Sequence, residues 1–166
     1  SVSAMWSALG DMSGSIVMFF VTFVVIGQYW IANHRFTEAL EAIDSTLVSV
    51  NIAYLAMVAF LPFPSALLGD ESGNPVAVAL FAGCLAVTSL LGWVLLWHAR
   101  RAGLLTIHPD DGAFRWMSMA NLNPVVWFGS SIVVAFVVGP TVAMVDLAIP
   151  AGRMIERRRP DSLVKA

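Results

Sequence analysis

Among the long stretches of this chain that contain no charged side chain are residues 12–33 and 76–97. A run of about 20 apolar residues matches the hydrocarbon thickness of a bilayer. An α-helix is the segment that closes all its backbone hydrogen bonds internally at that depth. Composition agrees. The 166 residues are 58% hydrophobic and 12% charged, where soluble domains carry about 25% charge. The expected class is an all-α polytopic membrane helix bundle, one domain over residues 1–166, because no hydrophilic block is long enough to fold apart.

Taken in order, the chain predicts helices at about 12–34, 44–62, 76–98, 114–138 and 140–156. Gln28, Tyr29, Trp30, Asn33 and His34 form the interfacial end of the first span, where Trp and Tyr prefer to sit. A charged elbow with Arg35, Glu38 and Glu41 follows. The second span begins near Asp44 and is expected to stop at Pro62 and Pro64, which lack the N–H a helix interior needs. Residues 69–75 (GDESGNP) read as a turn with two acids and no base. Residues 79, 83, 88 and 92 set small side chains at helical spacing.

Residues 113–150 allow one long helix or two, broken at Gly139-Pro140. The nine bases choose between them: Arg35, Arg100, Arg101, Arg115, Arg153, Arg157, Arg158, Arg159 and Lys165. With the break, five spans place all nine on one side. Without it, the five tail bases cross to the other. The positive-inside rule selects five spans and a cytoplasmic C-terminus. Ser1 then lies outside, although residues 1–15 hold no Lys or Arg. An additional upstream helix is expected to resolve that conflict.

The polar residues each carry two readings. Trp30 and His34 are four apart, so they share a helical face. His34 is a ligand, a proton acceptor, a structural hydrogen-bonder or a dipole partner at a helix end. Asp44 is an N-cap or a carboxylate paired to an Arg on a neighbouring helix. Asn51, one heptad on, needs a partner in lipid and reads as interhelical glue. Asp146 is an intramembrane functional acid or a water-exposed surface residue. Cys84 is the single cysteine, so it forms no internal disulfide and reads as a small buried side chain. The basic tail reads as a topology signal with attraction to anionic lipid. A net charge of −2 argues against a nucleic-acid partner. No nucleophile triad, phosphate loop, carboxylate pair or metal-ligand cluster supports an enzyme.

The run Tyr29-Trp30-Ile31-Ala32-Asn33-His34-Arg35-Phe36, then Asp44, Asn51 and Phe60-Leu61-Pro62-Phe63-Pro64-Ser65-Ala66-Leu67-Leu68, resembles the bacterial TMEM175 family. Tyr29, Arg35, Pro62 and Phe63 carry the motif beside Trp30, His34, Asp44 and Asn51. The resemblance implies six helices in the family and a potassium-selective leak channel in the inner (plasma) membrane. It implies a homotetramer among membrane lipids, with K+ as permeant ion and no cofactor or bound metal. In that family the first helix carries an Arg-x3-Phe-Ser-Asp motif and lines the pore. The motif is absent from this sequence, so the chain is expected to lack the first transmembrane helix and no pore-lining residue can be assigned. Trp30, His34, Asp44 and Asn51 are then expected to form a polar network that supports the pore helix. The alternatives are a non-conducting membrane assembly or partner-binding protein, and a small secondary transporter.

Overall fold

The computed structural model describes residues 13–71, 73–106 and 111–143. They form five named helices: α1 (Ser13–Glu38), α2 (Ser45–Phe60), α3 (Pro62–Asp70), α4 (Pro75–Arg101) and α5 (Asp111–Val137). Helical backbone resumes at Pro140 and continues to residue 143. Among the described residues there is no strand, only an isolated antiparallel bridge between Leu40 and Leu105. Three stretches of the described residues are long and apolar enough to cross a membrane: Ser45–Asp70, Pro75–Arg101 and Met117–Val137. The all-helical membrane class therefore stands, with three such stretches found among the described residues. Most of the predicted helix at 140–156 lies outside the described residues, as do Asp146 and the basic tail.

Contrary to expectation, Pro62-Phe63-Pro64 does not end the second span. Leu61 keeps helical backbone angles (φ −52°, ψ −34°), and α3 follows at once. The physical reason is positional. Pro62 has no N–H for the carbonyl of Val58, but the N–H of Leu61 takes that carbonyl instead at 3.3 Å. Both prolines then fall in the first turn of α3, where a missing donor costs little. Ser65 N–H already returns to the Leu61 carbonyl at 3.2 Å. The result is one bent, 26-residue stretch from Ser45 to Asp70. The acidic turn shrinks to residues 71–74, closed by Asn74, whose Oδ1 accepts from Val76 N–H at 2.9 Å.

Helix α1 also runs on past the expected stop at His34. It carries Arg35 and Glu38 on its last turns, so the elbow begins at Ala39. At the far end, the expected break at Gly139-Pro140 is present. The N–H groups of Val138 and Gly139 both return to the Val134 carbonyl, at 2.9 and 3.1 Å, ending α5. Gly139 then takes φ +129°, a region nearly closed to side chains with a Cβ. Pro124 sits inside α5.

Helix α4 is the spine. It packs along α5 and α2 and touches α3, while α1 lies along α3 and touches α2. Val78, Ala82, Thr88 and Ala99 of α4 are wholly buried. Two loops are clasped together at one end of the bundle: Glu41 N–H bonds the Leu104 carbonyl at 2.9 Å, and Thr106 N–H the Ala39 carbonyl at 3.0 Å. Arg35, Arg100, Arg101 and the start of α5 with Arg115 gather at this end. At the other end Gly14 approaches the Gly69 carbonyl so closely that a Cβ there would lie 3.2 Å from it. That end holds Asp70 and Glu71. The outer face of α1 is aromatic where Phe19, Phe20 and Phe23 are each more than half exposed, a surface suited to lipid or to another helix.

Two glycine substitutions separate turn geometry from helix geometry. Gly139→Ala forces a Cβ into a left-handed backbone and is expected to destabilise by about 1 kcal/mol or more. Gly83→Ala lies inside α4, where an added Cβ meets nothing within 4 Å, and is expected to stabilise by about 0.5 kcal/mol. Thermal unfolding in detergent measures both, and equal shifts in the same direction would contradict the break at 139.

Candidate functional site

Helices buried in lipid retain polar groups only where these find partners. Three helices meet at such a point. Tyr29 of α1 places its hydroxyl 2.9 Å from Ser89 Oγ and 3.3 Å from the Leu85 carbonyl, both on α4. Tyr54 of α2 donates its hydroxyl to the Tyr29 carbonyl at 2.8 Å. The two rings meet edge to face, centroids 6.3 Å apart at 72°, the arrangement their quadrupoles favour. Nearer the other end, Thr22 of α1 hydrogen-bonds Ser65 of α3, and both side chains are buried. Thr88 returns its hydroxyl to the Cys84 carbonyl at 2.7 Å. Cys84 itself is a buried free thiol.

Asp44 fulfils the first of its two sequence readings and departs from the second. Its Oδ1 accepts from Leu47 N–H at 2.7 Å and so caps α2. Its Oδ2 lies 2.7 Å from His98 Nε2 on α4. The neighbour is a histidine and not the arginine expected. The last turn of α4 points its arginines elsewhere: Arg101 covers the Trp97 ring at 4.2 Å and Arg100 the Phe114 ring at 4.0 Å. The Leu47 N–H first, and then the His98 ring, hold the Asp44 carboxyl below its usual range.

Trp30 and His34 stand apart from this carboxylate. Their rings stack at 5.3 Å and 9°, and His34 Nε2 meets Glu38 Oε1 one turn on at 3.3 Å. Trp30 is 59% exposed, so this ladder faces outward from the bundle. Asn51 is a second departure. Its Oδ1 is buried and has no hydrogen-bond partner, so among the described residues it does not act as glue. The four polar residues therefore occupy three separate settings. Of the motif residues, Tyr29 enters the core, Pro62 opens α3, Phe63 is exposed beside Phe60 at 5.3 Å, and Arg35 lines a cavity.

That cavity, of about 210 Å³, opens at the base-rich end between α1, α2, α4 and α5. Phe36, Tyr54, Leu95, Leu96 and Met117 wall it. Asn33 and Asn121 contribute amides. The Asn33 Oδ1 is buried without a partner, while Asn121 donates its amide to the Met117 carbonyl at 3.0 Å. Among the described residues no group of three metal-ligating side chains occurs.

Sequence reasoning missed Tyr54, Ser89, Thr22 and Ser65 as bonded core residues, and His98 as the partner of Asp44. A signal existed for each. They are polar side chains within or at the end of apolar runs, and the need for a partner in lipid flags every one of them. Which residue meets which depends on the crossing of helices 25 to 60 residues apart in sequence.

The model of the family described as endosomal/lysosomal potassium channel TMEM175 matches residues 2–62. A protein of Streptomyces collinus named as a potassium channel is 30% identical over 105 residues, covering 61% of this chain and 51% of that protein. One of Chamaesiphon minutus, also named as a potassium channel, is 29% identical over 108 residues, covering 63% and 53%. The endosomal/lysosomal proton channel TMEM175 of Danio rerio is 29% identical over 80 residues, covering 48% of this chain and 15% of that protein. The chain spans about half the length of these bacterial relatives. No solved structure matches it.

Loss of the Tyr54 hydroxyl isolates the bond that joins α2 to α1. Tyr54→Phe keeps the ring and its edge-to-face contact and is expected to cost about 1 kcal/mol, the modest worth of hydrogen bonds within membranes. Thermal unfolding in detergent reads this, and an unchanged midpoint would show that the bond contributes nothing.

Proposed function

We infer that this chain, which belongs to the TMEM175 family, is a subunit of an ion channel that conducts potassium passively, without substrate turnover. The observation that carries the reading is the match over residues 2–62, which contains Tyr29, Trp30, His34, Arg35, Asp44 and Asn51. The relatives' names support a channel and not an enzyme. Potassium preference rests on the two bacterial relatives, since the vertebrate ones are named as proton channels.

In this reading the membrane-crossing helices are α1, the bent α2–α3 pair, α4 and α5, with a fifth after Gly139-Pro140. The clasped end with Arg35, Arg100, Arg101 and Arg115 faces the cytoplasm, by the excess of bases on that side. The subunit sits in the plasma membrane and assembles as a homotetramer. Its pore is lined by an Arg-x3-Phe-Ser-Asp helix that these 166 residues do not supply.

The helices α1 to α5 are the support. Asp44, bonded to Leu47 and His98, fixes α2 against α4 within a subunit. The outward Trp30–His34–Glu38 ladder is the surface on which the pore helix or a neighbouring subunit rests. A narrow pore needs its lining helix held by rigid neighbours, and polar groups in lipid are rigid only when paired.

The test is a liposome flux assay with potassium against sodium, on the 166-residue chain and on protein that includes an Arg-x3-Phe-Ser-Asp helix. Potassium flux from the longer protein, with little from the shorter, is expected. Equal flux from both would place the pore within α1 to α5 or the segments beside them, and sodium flux equal to potassium would remove the selectivity.

A further inference from the structure

The cavity at the clasped end has a chemistry that its own side chains leave incomplete. Its walls are apolar apart from two amides and Arg35. The buried Oδ1 of Asn33 is an acceptor with no donor. An unpaired buried acceptor is costly, and none of the lining side chains hydrogen-bonds it. Arg35, on the exposed rim, has no acid partner among the described residues, because Glu38 is engaged by His34. A molecule that completes this site must bring three things: an anion for Arg35, a hydroxyl or amine donor for Asn33, and a short apolar body for Phe36, Leu95, Leu96 and Met117.

Volume and position narrow the class. About 210 Å³ exceeds the roughly 150 Å³ at which a dry apolar cavity accepts a benzene ring. A whole phospholipid is far larger, so the space suits a headgroup and the first few methylenes of a chain. The mouth lies beside Ala32, Arg35 and Ala39, all exposed on the last turns of α1 or just past them, next to the loops that join the membrane-crossing stretches. Basic pockets between helices at that level bind anionic lipid headgroups.

We propose that this cavity is a binding site for a phosphate-bearing glycerol headgroup, with the phosphate on Arg35, a headgroup hydroxyl donating to Asn33 Oδ1 and the proximal chain against Leu95, Leu96 and Met117. The same chemistry is offered by a phospholipid or by soluble glycerol phosphate, and the apolar walls assign it to the lipid. The proposal rests on the membrane reading and is independent of ion conduction.

The experiment uses the purified chain in detergent, native mass spectrometry for bound lipid and thermal unfolding for stabilisation. Phosphatidylglycerol, phosphatidic acid, phosphatidylcholine and sn-glycerol 3-phosphate are the probes. Phosphatidylglycerol is expected to be retained about tenfold over phosphatidylcholine, the scale of a charge-assisted contact. Arg35→Gln, a change on the exposed rim, is expected to abolish that preference. Asn33→Leu is expected to bring phosphatidylglycerol down to the level of phosphatidic acid, which lacks the hydroxyl donors, while phosphatidic acid binding is unchanged. Ala32→Leu, which narrows the mouth and leaves Arg35 and Asn33 in place, is expected to reduce retention of both. Equal retention of phosphatidylglycerol and phosphatidylcholine would overturn the proposal, as would an unchanged preference in Arg35→Gln. Stabilisation by sn-glycerol 3-phosphate equal to that by the lipid would overturn the lipid assignment.

Discussion

A polar group inside a membrane is costly without a partner, and the buried hydroxyls that join the helices of this bundle have one, while the acceptors of Asn33 and Asn51 do not. The Tyr54 hydroxyl on the Tyr29 carbonyl, with the Tyr29 hydroxyl on Ser89, joins α1, α2 and α4 at one level. The Thr22–Ser65 bond joins α1 to α3 at another. Lipid chains are as apolar as Leu or Val, so hydrophobicity alone does not choose which helix faces meet. Hydrogen bonds at fixed heights add to that choice, as Thr22–Ser65 does where α1 lies along α3, while α4 is the spine through a buried stripe from Ala77 to Ala99 packed along α5 and α2.

The ends of the bundle obey the same demand through backbone groups. Asp44 and Asn74 cap α2 and α4 with side-chain oxygens. The Leu40–Leu105 bridge and its two flanking bonds pair the loops with each other. At Pro62 the Leu61 N–H takes the carbonyl that proline leaves open. Each is a local answer to one unsatisfied group, and together they leave a bent, 26-residue stretch where two prolines suggested a stop.

The legible parts of this molecule were those set by local pattern. Apolar runs and the capping role of Asp44 follow from a few adjacent residues, and the Gly139-Pro140 break from the one-sided placement of the nine bases. The partners across helices were not legible. Asp44 asked for a cation and received His98, because the arginines of the last α4 turn cover Trp97 and Phe114. Trp30 and His34 were correctly placed on one face, yet the spacing could not say that the face is outward. Asn51 looked like glue and is an unpaired acceptor. Pro62 and Pro64 misled because their effect depends on whether they fall in a helix interior or its first turn, and that register is set by α3.

The outward Trp30–His34 stack with Glu38, on a frame fixed by Asp44 and His98, is the feature on which the proposed supporting role rests. Ions pass along a path whose lining sets preference, while the frame sets how many complete channels exist. The measurement that separates the two is made on Asp44→Ala in the channel proposed above, reading the assembled fraction beside the potassium-to-sodium permeability ratio. A supporting frame requires fewer assembled channels, with the ratio unchanged in those that remain. A changed ratio with assembly intact would put Asp44 in the ion path and contradict that role.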